Sequence, residues 1–344
     1  MLYQLIRPLI FGLEAESAHG LSITALRSLP IPATSNKNPV LVQQLAELTF
    51  PNPVGLAPGY DKDAEVAGEI LRLGFGFAEV GTLTPRPQAG NPHPRLFRLA
   101  EDRAVINRMG FNNAGQAAAA ERLKKLRRKQ LSGPLGINIG ANKDSEDRIA
   151  DYVQGVEAME GYADYLTINI SSPNTPGLRA LQDKDALDGL LRAAMAARKA
   201  DTPVFLKVAP DLEPADIDDI VEVADKHKLA ALIVSNTTIS RPPLKSEHAA
   251  ETGGLSGAPL KDLALQRLKD FRKASGGKMP LIGVGGIENA SDAYARIRAG
   301  ASLIQIYSAL VYEGPGLAKR INHELATLIE ADGFSNIAEA VGVE

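Results

Sequence analysis

The sequence predicts a (β/α)8 barrel, and two patterns carry that prediction. Short apolar runs recur roughly every 30 to 40 residues, each followed by a helical pattern, which is the signature of alternating parallel β and α. The runs are nearly continuous in apolar residues, as expected for strands buried on both faces. In order they are "PVGLA" (Pro53 to Ala57), "FAEVGT" (Phe77 to Thr82), "PLGINIG", "YLTINI", "VFLKVAP", "AALIVSN", "LIGVGG" and "SLIQIYS". Their helical partners begin with "AEVAGEILRLG" and end with "GPGLAKRINHELATLIE". Eight such pairs fit a closed barrel better than an open sheet. A doubly wound sheet is disfavoured because no G-x-G-x-x-G turn opens a helix after the first run.

Two pieces lie outside the count. "RLFRLAEDRAVINRMG" alternates around "EDR" and reads as a small β-hairpin inserted after the second strand. Residues 1–36 precede the barrel and end in the linker "PIPATSNKNP", which divides the chain into an extension (1–36) and a barrel domain (37–344). From Glu16 onward Ala18, Leu21, Ala25, Leu26 and Leu29 recur at helical spacing. Upstream, Leu2, Leu5, Ile6, Leu9, Ile10 and Phe11 form a second apolar segment, with Pro8 expected near a helix start.

Composition narrows the function. A net charge of -3 argues against nucleic acid as a partner. With no cysteine, disulfides and zinc-thiolate sites are excluded, and any base or nucleophile must be Ser, Thr, Lys, His or a carboxylate. No apolar run approaches the roughly 20 residues that span a bilayer. The first residues are too short in apolar character for a signal peptide, so the expectation is a protein inside the cell with a surface attachment. His19, His93, His227, His248 and His323 are scattered without metal-ligand spacing, which disfavours a metal-dependent hydrolase.

In such a barrel the loops after the strands carry the site. Those ends supply Lys62, Thr82, Asn107, Asn138, Asn169 with Ser172 and Asn174, Lys207, Asn236 with Thr237, Gly257, Gly285 with Gly286, and Tyr307 with Ser308. Any one of these is adequately explained as a turn or cap residue. The whole ring is not, because turns do not recruit lysines from strand ends. Lys207 sits inside an apolar run, where a lysine is seldom buried without a partner. It is either a Schiff-base lysine or a fixed cation for an anionic ligand. The glycines of the seventh strand and the end of the eighth stand where such barrels cradle phosphate. An aldolase or isomerase barrel using Lys207 fits this fold but leaves the amides idle, and a binding module has no need of Ser172 and Lys207 together.

The stretches "APGYDKDAE", "EVGTLTPRPQAGNPHPRLFRL", "INRMGFNN", "GINIGANK", "NISSPNTPGLR", "LKVAPDL", "SNTTISR", "GGLSG", "GVGGI" and "QIYSALVYEGP" together resemble dihydroorotate dehydrogenases, in order and spacing, from about residue 40 to 325. Serine in "ISSPNTPG" and the N-terminal "LEAESAHGL" are similar to the membrane-associated, quinone-reducing class 2. The class 1 base is a cysteine, which this chain lacks.

The resemblance implies FMN across the barrel mouth. Ala57, Pro58, Gly59, Tyr60, Asp61, Lys62, Thr82, Asn138, Asn169, Lys207 and Ser235 would surround its ring and ribityl chain. Gly257, Gly286, Tyr307 and Ser308 would hold its phosphate. Pro58 and Tyr60 depart from the small residue and Leu usual in the family, so the backbone of Gly59 is expected to do the binding there. Dihydroorotate would place its carboxylate on Lys62 and be read by Asn107, Asn169, Asn174, Asn236, Thr237 and the segment Asn107, Arg108, Met109, Gly110, Phe111. Ser172 would take the C5 proton, supported by Thr175 with a bound water, by Phe111 and by Lys207. Class 2 further implies a two-helix cap on the cytoplasmic side of the inner membrane. A membrane quinone would reach the flavin through a tunnel near His19, Arg98 and Tyr307.

Overall fold

The computed structural model describes residues 2–32 and 38–344. Two helices come first, α1 (Leu2–Phe11) and α2 (Ala15–Ser28). The strands follow as β1 (Gln43–Leu45), β2 (Leu48–Phe50), β3 (Val54–Leu56), β4 (Phe77–Leu83), β5 (Leu96–Leu99), β6 (Ala104–Asn107) and β7 (Leu135–Ile139). Then come β8 (Tyr165–Asn169), β9 (Val204–Val208), β10 (Ala231–Val234), β11 (Gly254–Gly257), β12 (Leu281–Val284) and β13 (Ala301–Ile306).

β3, β4, β7, β8, β9, β10, β12 and β13 close a parallel barrel in that order, β13 returning to β3. These are the eight runs read from the sequence. Every residue of β4, β8 and β9 is buried, Glu79 and Lys207 included. The continuous apolar runs follow from this, since one face meets the outer helices and the other fills the barrel.

The inserted β5–β6 hairpin pairs Leu96 with Asn107 and Leu99 with Ala104. It does not stand alone. β11 adds to β6, Gly254 opposite Asn107 and Gly257 opposite Ala104, making a three-stranded sheet. The strand went unread because "GLSG" has half its positions as glycine and no alternation. This sheet fastens the loop after β10 to the loop after β4.

A second hairpin, β1–β2, was also invisible in the sequence. Leu45 and Phe50 form a plug with Phe77, Tyr165, Phe205, Ile233 and Leu303. Its turn residues Ala46 and Glu47 both have left-handed φ (52° and 61°), a conformation usually announced by Asn-Gly.

The extension is helical as expected, with one correction. Pro8 lies inside α1, not near its start. A proline there costs a backbone bond, and tertiary bonds compensate: Tyr3 donates to Val311 O (2.7 Å) and Arg7 to Tyr312 O (3.2 Å). α2 is capped by the Glu14 carboxylate, which accepts from Glu16 N and Ser17 N. Arg95, 7% exposed at its side chain, clamps Glu16 with Nε (2.9 Å) and Nη2 (2.7 Å) and ties α2 to the barrel. The boundary between residues 36 and 37 lies outside the described residues.

Candidate active site

The strand ends and the two N-terminal helices enclose one cavity of about 690 Å³. Most of the residues singled out in the sequence line it. At the barrel mouth these are Ala57, Pro58, Gly59, Tyr60, Lys62, Thr82, Asn169, Ser172, Asn174, Lys207, Ser235, Asn236 and Thr237. Asn107, Met109, Gly110 and Phe111 close one side, and Gly257, Gly286, Tyr307 and Ser308 another. His19 and Arg98 line the end nearest α1 and α2.

Four expected residues do not line it. Asp61 turns away to accept from Glu65 N (2.7 Å) and Val66 N (2.9 Å), and burial pushes its pKa up to about 6. Arg108 faces outward, paired with Glu251 at 2.6 Å and stacked on Phe97. Asn138 lies one layer beneath the mouth, and Thr175 lies behind Ser172 with its buried Oγ1 unpartnered among the described residues.

The amides are fixed by one another. Asn169 donates to Thr82 Oγ1 (3.0 Å) and Asn138 Oδ1 (3.1 Å), and Thr82 donates to the same Oδ1 (2.6 Å). Asn169 Oδ1 accepts from the Ser171 hydroxyl (2.6 Å), which in turn accepts from Asn236 Nδ2 (2.9 Å). Asn174 donates to Asn107 Oδ1 (3.3 Å). In "NISSPNTPGLR" the two serines therefore part ways. Ser171 is consumed by Asn169 and Asn236, whereas Ser172 faces the cavity and, among the described residues, accepts only from Asn174 N (3.2 Å).

The two lysines differ. Lys207 is 4% exposed and, among the described residues, has no hydrogen-bond partner. Burial lowers its pKa, and the Glu79 carboxylate opposes that shift. Lys62 is brought down to about 8 chiefly by burial, with Glu16 pulling the other way. Its Nζ lies 3.4 Å from His19 Nε2. Burial and the neighbouring Lys62 hold His19 down at about 3, so its ring is neutral near pH 7. His19, Tyr60 and Tyr307 stack edge to face in sequence, with centroids 5.1 and 5.8 Å apart.

Arg98 is engaged. It donates to Ile10 O (3.1 Å), Phe11 O (3.2 Å) and Leu13 O, and lies over the Phe11 ring. These carbonyls lie at and just beyond the α1 C-terminus, where a cation is favoured. Gly257 (φ 97°) and Gly286 (φ 67°) are required by conformation: a Cβ would come within 2.4 Å of Arg103 O and 2.3 Å of Lys261 Cα. Ser308 donates to Ser256 Oγ beside them at 2.7 Å.

Sequence reasoning missed Glu79 and Gln305. The signal that singled out Lys207, a charge inside a strand's apolar run, is equally present for Glu79 in "FAEVGT".

Comparison with known proteins agrees with this architecture. A family model described as dihydroorotate dehydrogenase matches residues 40–329. The chain is 65% identical over 342 residues to a "Dihydroorotate dehydrogenase (quinone)" of Sphingopyxis alaskensis, covering 99% of this chain and 96% of that protein. It is 63% identical to the one from Novosphingobium aromaticivorans, covering 99% of each. A crystal structure of Eimeria tenella DHODH with ferulenol superposes with TM-score 0.93 at 42% identity, covering 97% of this chain and 98% of that one. The chain therefore belongs to the dihydroorotate dehydrogenase family, in its quinone-dependent class 2.

Proposed function

We propose that FMN lies across the barrel mouth and that dihydroorotate stacks on it beneath the amide ring. The reaction comes with the family. The chain is a flavin-dependent dihydroorotate dehydrogenase that oxidises dihydroorotate to orotate in pyrimidine biosynthesis, with a quinone as electron acceptor. The observation that carries the placement is that Ser172, Lys62, Lys207 and the amides of Asn107, Asn169, Asn174 and Asn236 face one cavity.

The residues present fit FMN. Among the described residues the buried Lys207 amine has no protein acceptor, and the buried Gln305 Oε1 has no donor. Both line the cavity. Such groups cost stability unless a ligand pairs with them. When bound, FMN supplies the hydride acceptor and the route of the electrons to quinone. Lys207 would stand beside the flavin ring, where a cation would stabilise the negative charge of the reduced ring. Gly257, Gly286, Tyr307 and Ser308 would hold the phosphate, and Asp61 and Asn138 would support the loop and the amides from behind.

Ser172 receives the C5 proton on its Oγ. A serine hydroxyl is a weak base, so its own proton must pass on. Thr175, with an unpartnered buried Oγ1, supports a relay through a water. Lys62 meets the substrate carboxylate. Phe111, held at a left-handed φ of 53°, packs the side of the site with the Asn107, Arg108, Met109 and Gly110 backbone.

The extension, residues 1–36, is proposed to rest on the cytoplasmic face of the inner membrane. Leu5 and Leu9 are 76% and 77% exposed, while Ile6, Ile10, Ala25 and Leu26 line the cavity's outer end. No helix among the described residues is long and apolar enough to cross a membrane, which fits an element lying in the interface. Quinone would enter between the helices toward His19, Arg98 and Tyr307.

The test is spectroscopic. Purified protein should be yellow, and dihydroorotate should bleach it without oxygen. A colourless protein that FMN cannot reconstitute, or a borohydride-trapped adduct on Lys207, would overturn the assignment.

A further inference from the structure

Beneath the mouth, the barrel interior holds a carboxylate that the reaction as described does not use. Glu79 is 1% exposed and accepts three hydrogen bonds. Its Oε1 takes Asn138 Nδ2 (2.7 Å), and its Oε2 takes Tyr165 OH (3.2 Å) and Gln305 Nε2 (2.7 Å). An ionised carboxylate is acceptor-only, whereas an amide has a donor end and an acceptor end. Each amide that meets Glu79 must therefore turn its nitrogen inward and its oxygen outward.

The consequence propagates. Asn138, with its nitrogen on Glu79, offers Oδ1 to Thr82 and to Asn169 Nδ2. Asn169, whose nitrogen meets that oxygen, has its own oxygen held by Ser171, whose backbone N–H (3.2 Å) and hydroxyl both donate to it, the hydroxyl accepting from Asn236 Nδ2. The other branch is shorter. Gln305 gives its nitrogen to Glu79 and leaves Oε1, buried and unpartnered among the described residues, at the cavity wall.

We propose that Glu79 is a positioning residue for the reaction: its carboxylate sets which end of Gln305 faces the cavity and turns Asn138 Oδ1 upward to hold Asn169 beside the bound flavin and substrate. The inference rests on the reading that dihydroorotate and FMN occupy this cavity.

Glu79→Gln keeps the shape but replaces one oxygen with a donor. Either Asn138 or Gln305 must then reverse, so the wrong end of an amide is presented. Adding Asn138→Asp should undo this. The new amide donates to the new carboxylate and still accepts from Tyr165 and Gln305. That carboxylate still accepts from Thr82 and Asn169, and the total charge is unchanged.

The experiment is a titration of holoenzyme with orotate, read as the shift in flavin absorbance, for wild type, Glu79→Gln and the double variant. Glu79→Gln should weaken orotate by roughly tenfold or more, the cost of one mismatched buried hydrogen bond. The double variant should recover most of that loss. A packing role for Glu79 would not yield recovery by moving the charge to residue 138. Unchanged orotate affinity in Glu79→Gln overturns the proposal, and so does a folded, yellow double variant that binds no better than the single one. Should Glu79→Gln not fold, near wild-type orotate affinity in the double variant supports the proposal, and weak affinity overturns it. Absence of any orotate shift in wild type would overturn the cavity assignment, and this inference with it.

Discussion

The barrel mouth and the N-terminal helices enclose the same cavity but are built by opposite rules. At the mouth, polar atoms hold one another in chains: Glu79 to Asn138, Asn138 to Thr82 and Asn169, Asn169 to Ser171, Ser171 to Asn236. On the helices, Leu5, Leu9, Leu21 and Leu29 stand more than half exposed. A polar ring can be distinguished from its analogues only by donors and acceptors held in place, because each mismatch leaves a buried group unpaired. An apolar ligand offers no such handles, so a surface that receives one needs area and little geometry. This difference is what the proposed function expects, with dihydroorotate oxidised at the mouth and quinone exchanged at the helices.

Breaking the mouth should have the largest effect. Ser172→Ala should leave flavin bound while bleaching by dihydroorotate slows about 10²- to 10⁴-fold, the usual worth of a positioned base. Stopped-flow absorbance measures this, and Ser172→Cys should keep more activity. If the alanine variant bleaches at the normal rate, proton removal lies elsewhere. Ser171 is then a poor substitute, since its hydroxyl is committed on both sides.

Breaking the other region should spare what the first removed. Deleting residues 1–36 should leave a yellow protein that dihydroorotate still bleaches and a small soluble acceptor still reoxidises. Turnover with a hydrophobic quinone should collapse, and binding to lipid vesicles should vanish. Normal quinone turnover and vesicle binding in the truncated protein would make the helices ordinary packing and erase the contrast drawn above.

A finer cut separates docking of α2 from its presence. Glu16→Gln removes the charge held by Arg95, an interaction expected to be worth about 1.5–3 kcal/mol for a charge-assisted pair. Proteolysis should then cleave the extension faster, and the quinone KM should rise, with bleaching by dihydroorotate unaltered. Slower bleaching would mean that α2 also organises the mouth.

The smallest effect is a pH dependence. Lys62, lowered to about 8, is a cation below that pH and neutral above it. Affinity for the dihydroorotate carboxylate should therefore hold from neutral pH to about 8 and weaken as pH rises further. Because an ordinary lysine stays charged to about 10.4, an affinity constant up to pH 10 would show that no lysine lowered by burial holds the carboxylate. His19, held near 3, should contribute no step between pH 5 and 8.

Much of this architecture was legible because its signals are local. Eight apolar runs with helical partners gave the barrel, and charged or amide residues at their ends gave the rim. Lys207 announced itself by being a charge where only apolar residues belong. What escaped was non-local. β11 is a strand because β6 is there to pair with it, and the β1–β2 turn adopts left-handed φ at Ala46 and Glu47 without the usual residues. Pro8 inside α1 was misplaced because bonds from Tyr3 and Arg7 to the far end of the chain offset its local cost.

The sequence by itself determined the order of strands and helices, the residues at the strand ends and the apolar character of the first helices. Periodicity and residue type are properties of neighbours along the chain. Only the tertiary structure decided that Ser172 faces the cavity while Ser171 does not, that Arg98 is spent on the end of α1, and that Glu79 lies under the amides. Adjacent serines are equivalent in sequence. They become different when Asn236, 65 positions away, arrives to hydrogen-bond with Ser171. A hydrogen bond has direction, and direction is fixed only once both partners are in place.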